Sequence, residues 1–341
     1  MDGFSLIDVP FSKNFFPFTL TRSVADIRCG ILTIREKWHH YLSKHVASER
    51  MIAVPANVLP DPALVTSLLN GDAVKFENCI QLKELTDILR LHPEEMKNDY
   101  WMITSGRSSI PVSSTNSISG SDIFIEAGAV VEHCHLNATD GPVYIGKDAL
   151  VMEGCMIRGP FALGEKAVVK MGTKIYGATS AGPHSVLGGE IKNSIVFGYS
   201  NKSHDGFLGD SVIGEWCNIG GGSSNSNIKN SAGEVRLWNP FTRTHLNAGL
   251  KCGLMMGDYS RAAINTSFNT GTIVGACCHV FGNGFTPAYL PSFSWGYNSE
   301  VYDFEKAIEH ISRWKQLKGG QLTSQETDNL KLIFDQQKEL L

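Results

Sequence analysis

The sequence predicts a mainly β protein: a parallel β-helix of hexapeptide repeats, preceded by a small α/β domain and followed by C-terminal helices. Three observations predict it. Aliphatic residues recur every six positions at Ile145, Val151, Ile157, Leu163, Val169, Ile175, Ala181 and Leu187. The spacing returns at Ile213 and Ile219, and again at Met256, Ala262, Phe268, Val274 and Val280. Glycine follows many of these positions, as in Ile145-Gly146, Leu163-Gly164 and Ile213-Gly214, and the 34 glycines suit a chain of many tight corners. A period of six keeps no helical face buried, since seven or eleven would be needed. In a β-helix each hexad is a short strand plus a corner, three hexads close one coil of a triangular prism, and stacked coils bury one another's edges.

The elements follow in order. Residues 1–108 read as a reduced α/β domain with helical stretches at Asp26–Tyr41 and Pro62–Leu69. Residues 109–290 carry the β-helix. Its phase is lost over 193–212 and over 225–251, which read as two loop insertions projecting from the prism. The second holds Val235, Leu237 and Trp238, an apolar set suited to a hairpin leaning on the prism. Residues 291–341 form a helical tail. Phe304, Ala307, Ile308, Ile311 and Trp314 share one helical face, and Thr323 with Glu326 forms a capping box for a last helix ending near Leu341.

Composition narrows the function. A net charge of -4 provides no basic field for nucleic acid. No apolar run approaches the roughly 18 residues of a membrane span, and the N-terminus lacks the layout of a signal peptide. Eight sparse cysteines without a C-x-x-C pair read as reduced thiols, so the expected location is the cytoplasm. His133 and His135 share a strand face, but no further ligand lies near them in sequence, and no metal site is expected.

Residues 158–222 resemble the hexapeptide-repeat acyltransferases, left-handed parallel β-helices that trimerise and bind acyl-CoA between neighbouring prisms. More narrowly they resemble the acetyltransferase half of the bifunctional glucosamine-1-phosphate acetyltransferase/N-acetylglucosamine-1-phosphate uridylyltransferase. The matching segments are Gly159-Pro160-Phe161-Ala162, Glu190-Ile191-Lys192-Asn193, His204 with Leu208-Gly209-Asp210, and Ile213 through Gly220. The resemblance implies that His204 is the general base. It places Lys174 and Lys192 where cations hold a sugar phosphate, and Phe207 where the family has a substrate-contacting tyrosine. Asn218 and Asn227 fall where asparagines orient the amino sugar and support the acyl group. Gly221 stands where a backbone N–H faces the thioester carbonyl, and Ala276 beside the CoA arm.

The segment from Phe16 to Trp38, with the later Ser292-Phe293-Ser294-Trp295-Gly296, resembles a divergent group of sugar nucleotidyltransferase-like proteins common in Bacteroidetes. In these a reduced nucleotidyltransferase-like domain precedes a β-helix. True nucleotidyltransferases place a Gly-rich loop ending in a basic residue over the triphosphate. The segment before Phe16 holds only Gly3, which argues against nucleotidyl transfer.

Acetyl transfer to an amine needs a base, donors for the tetrahedral oxyanion and a grip on the acceptor's charge. His204, the Gly220-Gly221-Gly222 corner, and Lys192 and Lys202 supply these types, while Asp205 either orients the imidazole or is simply exposed. The expectation is a homotrimeric N-acetyltransferase that uses acetyl-CoA and an amino-sugar phosphate, with neither nucleic acid nor membrane as partner. Two alternatives stand beside it. One is a sugar-1-phosphate nucleotidyltransferase, which would need Mg²⁺; the other is a non-catalytic scaffold that binds sugar phosphate.

Overall fold

Short strands stacked in parallel build three faces of a prism, as the six-residue period predicts. The computed structural model describes residues 4–43 and 52–340. Gly3 and Leu341 lie outside the described residues. Face 1 runs from Ile123–Ile125 to Tyr289–Leu290 in nine strands. Face 2 runs from Val130–Val131 to Ser294–Trp295 and ends on an antiparallel strand, Glu300–Val301. Face 3 runs from Ser117–Ser119 to Phe207–Gly209 in six strands. In all the solenoid has about ten turns. The hexad aliphatics point inward. Ile145, Leu163 and Ala181 stand in register on face 1, Val151, Val169 and Leu187 on face 2, and Ile157, Ile175 and Ile191 on face 3. All are buried in one continuous core.

The two losses of phase have different causes. Residues 193–212 do not form a projecting insertion, contrary to expectation. Ile195–Val196, Asn201–Lys202 and Phe207–Gly209 each pair in register with the coil before them. Ala181 pairs with Val196, only 15 residues on, where Leu163 pairs with Ala181 at 18. The period slips because corners are shortened, and a shortened corner looks like an interruption when only spacing is read. Residues 225–251 do leave the prism. They carry an antiparallel hairpin, Arg236–Asn239 with Thr244–Asn247, whose Val235 and Leu237 are fully buried.

The N-terminal region packs on face 1. A parallel pair, Phe4–Ile7 with Ile52–Pro55, is joined by three helices: α1 (Ile34–Leu42), α2 (Pro62–Asn70) and α3 (Asp87–Thr104). Helix α1 starts at Ile34, later than expected from Asp26, because Thr33 and Glu36 form a reciprocal capping box there. Phe15, Phe16, Phe18 and Trp38 share one core with Ile195, Phe197, Val212 and Met255 of the prism and with the hairpin. Arg22 seals this junction. Its guanidinium meets Asp258 and lies 3.5 Å from Glu215, while Thr21 Oγ1 donates to Asp258 at 2.5 Å.

Inside the region, the Lys37 ammonium lies between Glu95 and Asp99, 2.7 Å from the latter, with all three groups buried. Asp99 also accepts the N–H groups of Ile31 (2.8 Å) and Leu32 (3.1 Å). Burial pushes the Asp99 carboxyl up to about 6 despite Lys37. Removing one partner from such a cluster strands the others. Lys37→Met is therefore expected to cost about 3–5 kcal/mol of stability, read as a lower denaturant midpoint.

Helices α4 (Phe304–Leu317) and α5 (Ser324–Leu340) cover the last coils at the corner between faces 1 and 2. The Thr323–Glu326 capping box starts α5. No helix among the described residues is long and apolar enough to cross a membrane.

Candidate functional site

His204 stands at the corner where Asn201–Lys202 of face 2 turns into Phe207–Gly209 of face 3. The turn is tight because Gly206 takes a φ of 120° and sits so close to the next coil that a Cβ there would lie 2.0 Å from the Ser223 oxygen. The turn rests on the following corner, where Gly222 N–H donates to the Asp205 carbonyl at 3.0 Å. His204 is exposed, and its ring makes no hydrogen bond or ion pair among the described residues. Asp205 is exposed too and does not bond the imidazole.

Gly221 faces the histidine directly. A Cβ at Gly221 would stand 3.3 Å from the His204 Cβ and 3.5 Å from its Cγ. The Gly221 carbonyl is engaged by Asn265 N–H at 2.8 Å, while its own N–H meets no acceptor among the described residues. The corner therefore sets a potential base beside a free backbone donor.

Face 3 gathers most of the expected substrate residues. Strand alternation puts Lys174, Glu190 and Phe207 in one outward file and Tyr176, Lys192 and Gly209 in the next. The Phe207 ring lies over Gly209, where a Cβ would come within 2.4 Å of its Cζ. Asn227 borders the same ring and donates to Asp210 at 2.5 Å, which Asn193 also engages at 2.7 Å. Lys192 lies 5.7 Å over the Tyr176 ring, and Tyr176 donates to Glu190 at 2.7 Å. Lys174 is exposed at the wall of a groove of about 520 Å³, lined also by Arg158, Tyr176 and Glu190.

Three expected residues lie elsewhere. Asn218 faces outward on face 2, where Asn201 donates to it at 3.3 Å, so it does not join the face 3 group within one chain. Ala276 is fully buried at the opposite corner, packed with Tyr259, Phe293 and Ile311 beneath α4 and α5. It does not line the His204 corner. Lys202 points into the prism and is 1% exposed, so it cannot hold a phosphate in solvent. Six-residue counting put it on a loop, whereas its register with Leu187 makes it an inward position.

Sequence reasoning missed Tyr176, Glu190 and Arg158. The signal was available in the alternation, because residues two apart on a strand share a face, as Lys174 does with Tyr176. His133 and His135 do not share a strand face, because His133 sits exposed at a corner with φ 55° while His135 begins the strand His135–Asn137. The described residues hold no group of three potential metal ligands.

Residues 5–73 match the family of sugar nucleotidyl transferases. Over 117 residues, 34% of this chain, the sequence is 27% identical to the Bifunctional protein GlmU of Methanocaldococcus jannaschii, covering 28% of that protein. Over 92 residues, 27% of the chain, it is 29% identical to the Bifunctional sugar-1-phosphate nucleotidylyltransferase/acetyltransferase of Sulfurisphaera tokodaii, covering 23% of it. The chain thus spans about a quarter of the length of these curated relatives. A solved Arabidopsis UDP-N-acetylglucosamine acyltransferase covers 67% of this chain and 91% of its own at 14% identity and a TM-score of 0.22, too loose a likeness to inform the site. A resemblance to bifunctional nucleotidylyltransferase/acetyltransferase proteins is thus found by direct comparison. The three described arginines of the N-terminal match are held by the protein itself: Arg22 by Asp258, Arg35 by Asp26 at 2.6 Å, and Arg28 by the Ile31 carbonyl and Glu36.

Proposed function

We propose that the chain is an N-acetyltransferase acting on an amino-sugar phosphate, with His204 as general base. The observation that carries this reading is the His204–Gly221 corner placed at the edge of the Lys174, Lys192, Phe207 and Asn227 surface. Acetyl-CoA would supply the activated acetyl thioester. His204 takes a proton from the acceptor amine as nitrogen bonds to the acetyl carbon, and the C–S bond then breaks as the imidazolium returns that proton to sulfur, releasing the thiol. In this reading the Gly221 N–H donates to the oxyanion formed between these events. Lys192 and Lys174 hold the phosphate as point charges, and Phe207 supplies an apolar floor without the hydroxyl of the family's tyrosine.

Asn218 lies around the edge on face 2, so it would reach the sugar only if a second prism packed there. That need supports the homotrimer as part of the proposal. The test is release of CoA from acetyl-CoA in the presence of glucosamine-1-phosphate. Lys192→Ala is expected to raise the KM for the sugar phosphate roughly 10-fold while leaving kcat within about twofold, since it removes binding common to ground and transition states. An unchanged KM would take Lys192 out of the site.

The N-terminal family match favours a second reading, nucleotidyl transfer to a sugar-1-phosphate. It predicts pyrophosphate release from a nucleoside triphosphate with Mg²⁺. The Glu95–Asp99 pair does not fit that ion, since the Lys37 ammonium already occupies the position between the two carboxylates. Release of pyrophosphate without release of CoA would replace the first reading by the second.

A further inference from the structure

The inward file of face 2 is aliphatic (Val151, Val169, Leu187, then Ile219, Ala262 and Val280) except at one rung, where it holds Lys202. A buried ammonium in such a file needs acceptors, and Lys202 has no carboxylate bonded to it among the described residues. It donates instead to three backbone carbonyls: Gly188 at 3.3 Å, Asp205 at 3.4 Å and His204. Three N–H donors thus meet three acceptors. Gly188 belongs to the preceding coil, while His204 and Asp205 belong to the turn that Lys202 itself begins. The coils on either side place Leu187 and Ile219 at the same position and close their corners without a cation. What sets this coil apart is that its turn carries His204.

A second lysine grips the same segment from outside. Lys318, just past α4, donates to the carbonyls of His184 (3.0 Å) and Tyr199 (2.8 Å) and to Asn201 Oδ1 (2.8 Å). Residues 199–205 are therefore held from both sides of the prism wall.

We infer that Lys202 is a positioning residue, which from inside the prism holds the His204 and Asp205 carbonyls so that the imidazole stands over Gly221. The inference rests on the reading of His204 as the base and deepens it. Burial pushes Lys202 down to about 8, with Asp205 acting weakly in the other direction. The neighbouring inward positions, Leu187, Ile219, Ile191 and Leu208, carry no charge. On the outer side, Lys318 is pushed down to about 8 by burial as well. Loss of the Lys202 proton removes its charge and one of its three donors, so its hold on the turn weakens as pH rises through about 8.

The full chain labelled with [13Cε1]-histidine tests this without reference to activity. The His204 signal is identified by its loss in His204→Gln. In the wild type it should show a second step near pH 8, beyond the ring's own titration. That step should vanish in Lys202→Met and persist in Lys318→Met. A wild-type signal with no such step overturns the inference, as does a step that survives in folded Lys202→Met. If Lys202→Met does not fold, Lys202→Gln, which keeps two N–H donors without a charge, takes its place. In the acetyl-transfer assay, kcat of the folded variant should fall roughly 10- to 100-fold, because a displaced base loses alignment. An unchanged kcat would also overturn the inference. Absence of acetyl transfer in the wild type would instead remove the proposed function, while the histidine titration would still decide whether Lys202 holds the turn.

Discussion

His204→Ala is expected to lower acetyl transfer by about 10²- to 10⁴-fold, the range for removal of a general base. The effect should fall on kcat, since the lysines that would hold the sugar phosphate are left in place. Stability should stay within about 0.5 kcal/mol of the parent, because the exposed ring makes no hydrogen bond that its loss would strand. Steady-state rates with acetyl-CoA and glucosamine-1-phosphate, together with a melting curve, check both halves. A variant with the parental rate would remove His204 from the mechanism. A variant that loses rate and stability together would make the residue structural.

The second large effect is at the junction between the N-terminal region and the prism. Asp258, 3% exposed, is met by Arg22, by Thr21 and, at 2.8 Å, by the Glu215 N–H. Asp258→Ala leaves the buried Arg22 without its closest partner and should cost about 3–5 kcal/mol. The Glu215 carboxylate at 3.5 Å is too distant to take over the same hydrogen bond. Chemical denaturation should show an earlier midpoint, and hydrogen exchange should rise in the N-terminal region before the prism core. A shift below about 1 kcal/mol would mean that the apolar core shared by the two parts holds them without the ion pair. In either outcome the early coils, far from Asp258 in the stack, should keep their protection, because each coil depends chiefly on its neighbours.

How much of this was readable from residues alone differs from element to element. The hexad positions announced the prism because a strand-and-corner unit repeats its chemistry wherever its coil is buried. Ile145 through Leu187 therefore mark an inner wall before any contact is known. Spacing failed at residues 193–212, since a shortened corner and an inserted loop both break a count of six. Only the pairing of Ala181 with Val196 separates them. The start of α1 shows the same limit at short range. The run from Asp26 is apolar and helix-compatible, yet the Thr33–Glu36 box sets the first turn.

For the candidate site, the resemblance and the strand alternation suffice to put Lys174, Lys192 and Phe207 on one face, because residues at equivalent points of successive coils must share a face. Asn218 and Ala276 are different. Which of three faces a residue occupies, and what covers it, depends on the exact lengths of the intervening corners and on where α4 and α5 dock. Neither is a local property. Lys202 makes the point most sharply. By type a lysine belongs in solvent, and by sequence it sits beside a histidine as a ready phosphate ligand. Register alone turns it inward, where it can be tolerated only because three carbonyls converge on its ammonium. The sequence by itself determined the repeat, the prism and the file of residues along face 3. The tertiary structure decided which side chains meet at the His204 corner, because that meeting depends on coils and helices distant in the chain arriving at one edge.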